Sequence, residues 1–355
     1  NHCDDAPCMA HCPALAYERN SITQAVIHLA DSCMGCKYCV WNCPYDAPKF
    51  NPAIGIVEKC NFCSPRQENG LEPACVMTCP TGALDFFHSP ENESANEKKL
   101  PVQRNPKPAI RIIELRKETA PEMDLTLLKP METQDNTLKR NFVGALHEWP
   151  LLAFTFILSA LVALTVAGAG HQSAEWLKLV MVIAGFAGAL LSMMHLGKKT
   201  RMWRAVLNLK NSWLSREIFF FSLYFVAMIT DFYFFNLHYY LVLIPGILTL
   251  FSIDMLYNPV QQKWRVPWHS GQTIFIALSM AFLFLQMPWY ILGLWIFRVG
   301  IQLYFMVKNP LNLAKKSLIF TRWGLVDLAM IFYYFDLSMV WIIAIVLVSE
   351  FLDRI

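Results

Sequence analysis

Residues 33–44 read Cys33-Met34-Gly35-Cys36-Lys37-Tyr38-Cys39-Val40-Trp41-Asn42-Cys43-Pro44. This is C-x2-C-x2-C-x3-C-P, a spacing that ligates iron–sulfur clusters, with the fourth cysteine serving a different cluster from the first three. A tight turn presents three thiolates to three irons of one cube, and the proline keeps the chain from folding back over the fourth. Working outward, a second run follows at Cys60, Cys63, Cys75, Cys79 and Pro80, and a third precedes at Cys3, Cys8, Cys12 and Pro13. All 11 cysteines of the 355-residue chain belong to these runs.

Two other chemistries use cysteines at such density. Disulfide scaffolds do not repeat this spacing, and an odd count leaves one thiol over. Structural zinc does use paired Cys-x2-Cys. A zinc-bound head on a transporter or structural membrane protein is therefore the competing reading, and metal analysis separates the two. No Cys-x2-Cys precedes a histidine, so covalent haem attachment is not indicated. The run at Cys3 would become C-x2-C-x4-C-x3-C-P if a cysteine stood directly before Asn1. The sequence also stops at Ile355 inside an apolar stretch. Both ends are expected to be those of a fragment, an expectation the gene upstream of Asn1 tests.

The chain is 55% hydrophobic and 16% charged, more apolar and less charged than ordinary soluble domains. Residues 1–145 are nevertheless polar and rich in Pro, Asn and Cys, so the apolar excess lies beyond them. Three regions are expected: an iron–sulfur domain over 1–87, a linker or extension over 88–145, and a membrane domain over 146–355. Within the linker, residues 91–99 have a disorder-type composition, and residues 108–115 have the pattern of one strand. There is no G-x-G-x-x-G and no P-loop, and no nucleic-acid partner is expected.

A bilayer span needs about 20 mostly apolar residues. Eight candidates occur, at 149–170, 177–197, 218–235, 239–257, 273–287, 289–307, 318–335 and 338–352. The first lies far from Asn1 and is not a signal peptide. Basic residues cluster in alternate loops: Lys198, Lys199, Arg201, Arg204, Lys210 and Arg216, then Lys263 and Arg265, then Lys308, Lys315, Lys316 and Arg322. Lys139 and Arg140 precede the first span on the same side, and Lys178 is the main exception opposite. Lys and Arg favour the cytoplasmic side. This predicts a multi-pass protein of the bacterial inner membrane with its iron–sulfur domain in the cytoplasm, the periplasmic side being the alternative. The same loops are equally suited to binding the fused domain or a partner subunit.

Ionisable residues inside spans are costly and are functional candidates by default. His195, Asp254, Asp327 and Glu350 lie toward the basic-loop end of their spans. Arg298 sits within the sixth span, with Asp231 or Asp327 as its expected carboxylate partner. Trp203 and Trp213 suit an interfacial helix, and Phe219 to Phe221 suit lipid contact or packing.

The cysteine runs resemble the last three of four motifs in the four-cluster ferredoxin-like subunits that serve molybdenum oxidoreductases. In that family the motifs pair two with three and one with four. The resemblance implies that Cys12 joins Cys33, Cys36 and Cys39 around one complete [4Fe-4S] cluster. Cys3, Cys8 and Cys43 would hold a second with one further cysteine. Cys60, Cys63 and Cys75 would hold a third, and Cys79 would complete a fourth. The apolar half resembles the membrane anchor of dimethyl sulfoxide reductase. The matching segments are His147-Glu148-Trp149-Pro150, Ser192-Met193-Met194-His195-Leu196-Gly197 and Trp213-Leu214-Ser215-Arg216-Glu217-Ile218, with weaker matches at Leu256-Tyr257-Asn258 and Glu350-Phe351-Leu352-Asp353-Arg354.

Together the resemblances imply an α+β ferredoxin-like [4Fe-4S] domain followed by an all-α bundle of about eight transmembrane helices, fused in one chain. They imply an electron-transfer subunit that oxidises menaquinol from the quinone pool, without haem, at a site near His195. Electrons would pass to a separate molybdopterin-containing catalytic subunit that reduces an S-oxide or N-oxide in anaerobic respiration. Imidazole suits the proton-accepting role because its ordinary pKa lies near 6.5. The alternative runs the same architecture in reverse, as the electron-transfer subunit of a quinone-reducing dehydrogenase.

Overall fold

The computed structural model describes residues 2–86, 106–110, 149–168, 175–234, 239–261 and 272–285, with scattered positions between 290 and 300. The cysteine-rich region is built from very short elements. In chain order they are α1 (Pro7–Ala10), β1 (Tyr17–Arg19), β2 (Val26–His28), α2 (Tyr38–Asn42), β3 (Lys49–Asn51), β4 (Ile56–Glu58), α3 (Ser64–Gln67) and α4 (Ala74–Met77). The strands form two antiparallel hairpins. Tyr17 faces His28 and Arg19 faces Val26 in the first, and Lys49 faces Glu58 and Asn51 faces Ile56 in the second.

Local chemistry sets each hairpin turn. Asn20 Oδ1 accepts the backbone N–H groups of Ile22 and Thr23, both at 2.9 Å. Asn51 Oδ1 accepts that of Ala53 at 3.0 Å. Asparagine side chains stand in for a backbone acceptor in this way and so start turns. Residues 106–110 run beside the first residues of the chain. Asp4 N–H donates to Lys107 O at 3.0 Å, and Ala109 N–H donates to His2 O at 2.9 Å. The strand expected over 108–115 is represented here by a single bridge between Cys3 and Pro108, and residues 111–115 lie outside the described residues.

The apolar half contains α5 (Trp149–Val166), α6 (Glu175–Met194), a 3-10 helix (Lys199–Val206), α7 (Trp213–Phe234), α8 (Tyr239–Gln261) and α9 (Gln272–Phe284). Four of these, α5 to α8, are long and apolar enough to cross a membrane, and α9 contains a shorter apolar stretch. The spans expected at 318–335 and 338–352 lie outside the described residues, as does most of 289–307. α7 begins at Trp213, five residues before the apolar run expected at 218. Ser212 explains the difference: its Oγ accepts the Ser215 N–H at 3.4 Å, an N-cap that starts the helix within a polar first turn.

α5 packs against α6, α8 and α9, and α7 packs along α8. Leu158, Val162, Tyr224, Leu250 and Ile253 form the centre and are almost wholly buried. Small residues let the helices approach. A Cβ on Gly246 would stand 3.0 Å from both the Tyr224 ring and Val162, and one on Gly185 would stand 2.9 Å from Phe225. Some buried hydroxyls are satisfied within their own helices: Ser159 donates to Thr155 O and Thr249 to Pro245 O. The outward side of α6 exposes Val180, Ile183 and Phe186, as a lipid-facing helix does.

A second core joins the two halves of the chain. Met34, Tyr38 and Val57 from the cysteine-rich region pack with Ala205, Leu214 and Leu256 from the helical region. Trp41 and Tyr257 touch both cores.

Candidate cluster cradle and its membrane junction

The three Cys-Pro ends are one structural device used three times. Residues 12–16 read Cys-Pro-Ala-Leu-Ala, residues 43–47 Cys-Pro-Tyr-Asp-Ala, and residues 79–83 Cys-Pro-Thr-Gly-Ala. The fourth residue of each turns left-handed: Leu15 at φ 50, Asp46 at φ 53 and Gly82 at φ 61. That turn aims the next N–H back at the cysteine. Ala16 N–H donates to Cys12 Sγ at 3.3 Å, and Ala47 N–H donates to Cys43 Sγ at 3.5 Å. Positive φ at a bulky residue such as Leu15 is costly and marks a functional constraint.

The other cysteine turns use the same approach. Gly35 (φ 72) and Lys37 (φ 60) wind the Cys33–Cys39 loop, and Gly35 N–H donates to Cys33 Sγ at 3.4 Å. Phe62 (φ 58) and Cys63 (φ 52) wind the next loop, where Phe62 N–H donates to Cys60 Sγ at 3.3 Å. Backbone N–H groups aimed at sulfur favour the thiolate.

The sulfurs fall into groups. Cys12, Cys33, Cys36 and Cys39 line one cavity, walled also by Tyr17, His28, Met34 and Val57. Cys3, Cys8 and Cys43 are buried together. Burial pushes the Cys8 thiol up to about 12, with Cys43 the next cause, and pushes Cys3 up to about 11 for the same two reasons. Burial, followed by Cys12, pushes Cys36 up to about 12. Such thiols become thiolates only when a metal replaces their protons. Cys60 and Cys75 lie at the outer surface. Nearby Cys79 is drawn down to about 7, first by the Thr81 hydroxyl and then by backbone N–H groups.

These donors fit a cube better than a single ion. Among the described residues, no three Cys, His, Asp or Glu side chains are gathered tightly enough to hold one metal ion. Four thiols instead surround a cavity, and a [4Fe-4S] cube needs one thiolate at each of four separated irons.

The basic loop after α6 grips this cradle from the membrane side. Lys198 N–H donates to Met34 O at 3.0 Å. Arg201 donates to Ala30 O at 2.7 Å and Cys33 O at 3.0 Å. Arg204 donates to Ser32 Oγ at 3.2 Å, and Asn208 donates to Cys12 O at 2.9 Å. Part of the loop's positive charge is thus engaged in docking, the second role its sequence allowed. Three glycines form the tightest point. A Cβ on Gly35 would stand 3.0 Å from Gly197 Cα, and one on Gly55 would stand 2.7 Å from Gly197 O. His195 sits two residues before Gly197, half-buried in the turn that ends α6.

The carboxylates separate. Asp254 is buried and caps α9: Oδ1 accepts Thr273 N–H at 3.1 Å and Thr273 Oγ1–H at 2.7 Å. Asp231 pairs with Lys178 at 2.9 Å, while the Arg298 expected to pair with Asp231 or Asp327 lies outside the described residues. So do Asp327 and Glu350. Glu217 had no assigned role in the sequence, yet its side chain is buried to 3% exposure in the first turns of α7. Its signal was hidden because the apolar count began one residue after it. Trp203 is exposed, with Arg204 5.2 Å from its ring centre, and Phe221 packs on Phe154 at 5.2 Å.

Fold and site define a membrane-anchored iron–sulfur protein. Residues 1–89 match the 4Fe-4S dicluster domain family, and residues 143–301 match the DMSO reductase anchor subunit family, DmsC. The chain therefore carries an iron–sulfur domain and a DMSO reductase-type anchor domain on one polypeptide. It is 43% identical over 94 residues to the thiosulfate reductase electron transfer subunit PhsB of Salmonella typhi, covering 26% of this chain and 48% of that one. It is 41% identical over 86 residues to the B subunit of the anaerobic dimethyl sulfoxide reductase of Haemophilus influenzae, covering 24% and 42%. It is 44% identical over 85 residues to the formate dehydrogenase-O iron–sulfur subunit of Escherichia coli, covering 24% and 28%. The chain spans about half the length, or less, of these relatives. No solved structure matches it.

Proposed function

We propose that this chain oxidises membrane menaquinol beside His195 and passes the electrons through [4Fe-4S] clusters to a separate molybdopterin subunit. That subunit would reduce an S-oxide or N-oxide acceptor. The observation that carries the reading is the glycine junction, where the turn holding His195 lies backbone to backbone against the cluster-binding loop at Gly35. Cys12, Cys33, Cys36 and Cys39 would hold one complete cluster. Cys3, Cys8 and Cys43 would contribute to a second, Cys60, Cys63 and Cys75 to a third, and Cys79 to a fourth. When bound, the clusters supply one-electron transfer.

Quinol oxidation releases two protons with two electrons. His195 takes the first proton at an imidazole nitrogen, and Glu217, a buried carboxylate on the neighbouring helix, is the candidate for the second. No haem enters this scheme. The Arg201 and Arg204 guanidinium groups are engaged in docking, so the proposed cytoplasmic placement rests on Lys198, Lys199, Lys210, Arg216 and the later basic loops. Protease accessibility in spheroplasts tests it.

The reverse direction, quinone reduction, is favoured by the likeness to a formate dehydrogenase subunit. The deciding experiment is menaquinol-analogue oxidation in membranes, wild type against His195→Ala, with cluster reduction followed by low-temperature EPR. Clusters that persist in the variant but no longer accept electrons from quinol support the reading. Equal reduction in both proteins would sink it.

A further inference from the structure

We infer that Tyr17 and His28 donate hydrogen bonds to the sulfurs of a cluster held by Cys12, Cys33, Cys36 and Cys39, and so raise its reduction potential. This rests on the proposed ligation by those four cysteines and deepens it.

The pair is made by the first hairpin. Tyr17 and His28 are direct cross-strand partners, and their rings meet edge to face with centroids 4.9 Å apart. Residue 17 follows the Cys-Pro turn of residues 12–16 at once, so the strand leaves the Cys12 thiol with Tyr17 as its first side chain. His28 enters the same cavity from the opposite strand. Both residues wall the cavity that the four thiols line.

Each brings a buried polar atom. Tyr17 is 8% exposed, and its buried Oη lies within side-chain hydrogen-bonding reach of the Cys39 thiol; His28 Nε2 is buried without a hydrogen-bond partner among the described residues. Buried polar groups without partners are rare, and each calls for a reason. Cys39 is the thiol that bears most strongly on the Tyr17 hydroxyl, followed by Cys8 and Cys12. Cluster sulfurs and thiolates are acceptors only, so they would satisfy both donors at once.

The consequence is directional. Reduction places an extra electron on the cluster, and hydrogen bonds to its sulfurs stabilise that negative charge more in the reduced form, which raises the potential. This cavity is also the one gripped from the membrane side through Met34 and Cys33. A raised potential here suits the cluster that takes electrons arriving from the membrane.

The test is a redox-poised EPR titration of the full-length protein in membranes, following the signal that Cys36→Ser abolishes. Tyr17→Phe keeps the ring and its packing and removes only the donor. We expect it to keep the signal and lower its midpoint potential. His28→Leu should lower it independently, and His28→Gln, which retains an N–H, should restore part of the shift. An unchanged midpoint in both Tyr17→Phe and His28→Leu overturns the inference, even if both proteins melt earlier. If Tyr17→Phe fails to assemble, His28→Leu against His28→Gln decides alone. Absence of the signal from the wild type would instead defeat the ligation on which the inference rests.

Discussion

Gly197 lies against Gly55 so closely that a Cβ on Gly55 would stand 2.7 Å from the Gly197 carbonyl oxygen. Gly35 closes the third side of this contact. Two backbone segments, one from the membrane anchor and one from the cluster cradle, thus meet with no side chain between them. Glycine is the only residue that permits such an approach. At Gly35 and Gly55 the positive φ of 72 and 67 disfavours larger residues a second time.

Gly197→Ala should therefore separate the His195 turn from the cluster loop without touching a thiol. Misplacement by about 1 Å can cost on the order of a hundredfold in a positioned reaction. We expect quinol-driven cluster reduction to slow by roughly tenfold to a hundredfold, while dithionite reduces the clusters as in wild type. Loss of both would mean that the junction is needed for assembly and not only for spacing.

Arg201 is the main cation of the same interface, bonded to two carbonyls of the cradle. Its 3.8 Å contact with the fully exposed Asp31 carboxylate adds little. A hydrogen bond from a charged group contributes about 1.5–3 kcal/mol. Arg201→Ala should loosen the head domain, read as faster proteolysis between the domains, whereas Asp31→Asn should leave the rate unchanged.

The thiols give a pH dependence with a definite sign. Cys8 and Cys36 rise from about 9 to about 12 on folding, chiefly through burial. A group raised in this way favours the folded apoprotein below pH 9, and that contribution is lost as pH climbs through 9 toward 12. Cluster insertion runs the other way, because it displaces the same protons. Apoprotein melting should fall above pH 9, and reconstitution with iron and sulfide should release protons and improve from pH 7 to pH 8.5. Reconstitution that is independent of pH would contradict both the burial and the ligand assignment.

How much of this was legible in the sequence follows from the range of each interaction. The cysteine runs were readable because a cluster loop is local: Cys33, Cys36 and Cys39 reach one cavity within seven residues. The long apolar helices were readable for the same reason, since span length is a property of one segment. The three-residue strands were not, because strands that short carry no alternation, and their pairing depends on Asn20 and Asn51 turns. The Tyr17–His28 pair and the glycine junction are contacts across distant segments and leave no periodic trace. The basic loop had two readings with one pattern, and only the carbonyls it meets separate docking from topology. Asp254 looked like any ionisable residue in a span until its partner, the N-terminus of α9, was in place.

That capping role makes Asp254 a stability residue. Losing a side-chain cap costs about 0.5–2 kcal/mol, and a buried donor left unsatisfied, here the Thr273 backbone N–H, costs about 1–3 kcal/mol, while the Thr273 hydroxyl keeps Leu250 O at 3.2 Å. Asp254→Ala should lower the melting temperature of the detergent-solubilised protein while quinol-driven cluster reduction, measured below that temperature, stays near wild type. A selective loss of quinol oxidation at full stability would return Asp254 to the proton path.

Lys178 and Asp231 pose the opposite case, a buried ion pair between α6 and α7 with side chains 13% and 9% exposed. Removing one partner strands a charge in a low-dielectric setting, which costs about 3–5 kcal/mol. Replacing both with apolar residues of similar volume is often neutral or stabilising. Lys178→Met alone should therefore destabilise the membrane domain strongly, and Lys178→Met with Asp231→Leu should recover most of the loss. If the double variant is stable yet turns over quinol slowly, the pair has a role in proton handling that packing does not explain. If it is stable and fully active, the pair serves to fix the register of α6 against α7, at a position where two apolar side chains would hold the helices equally well.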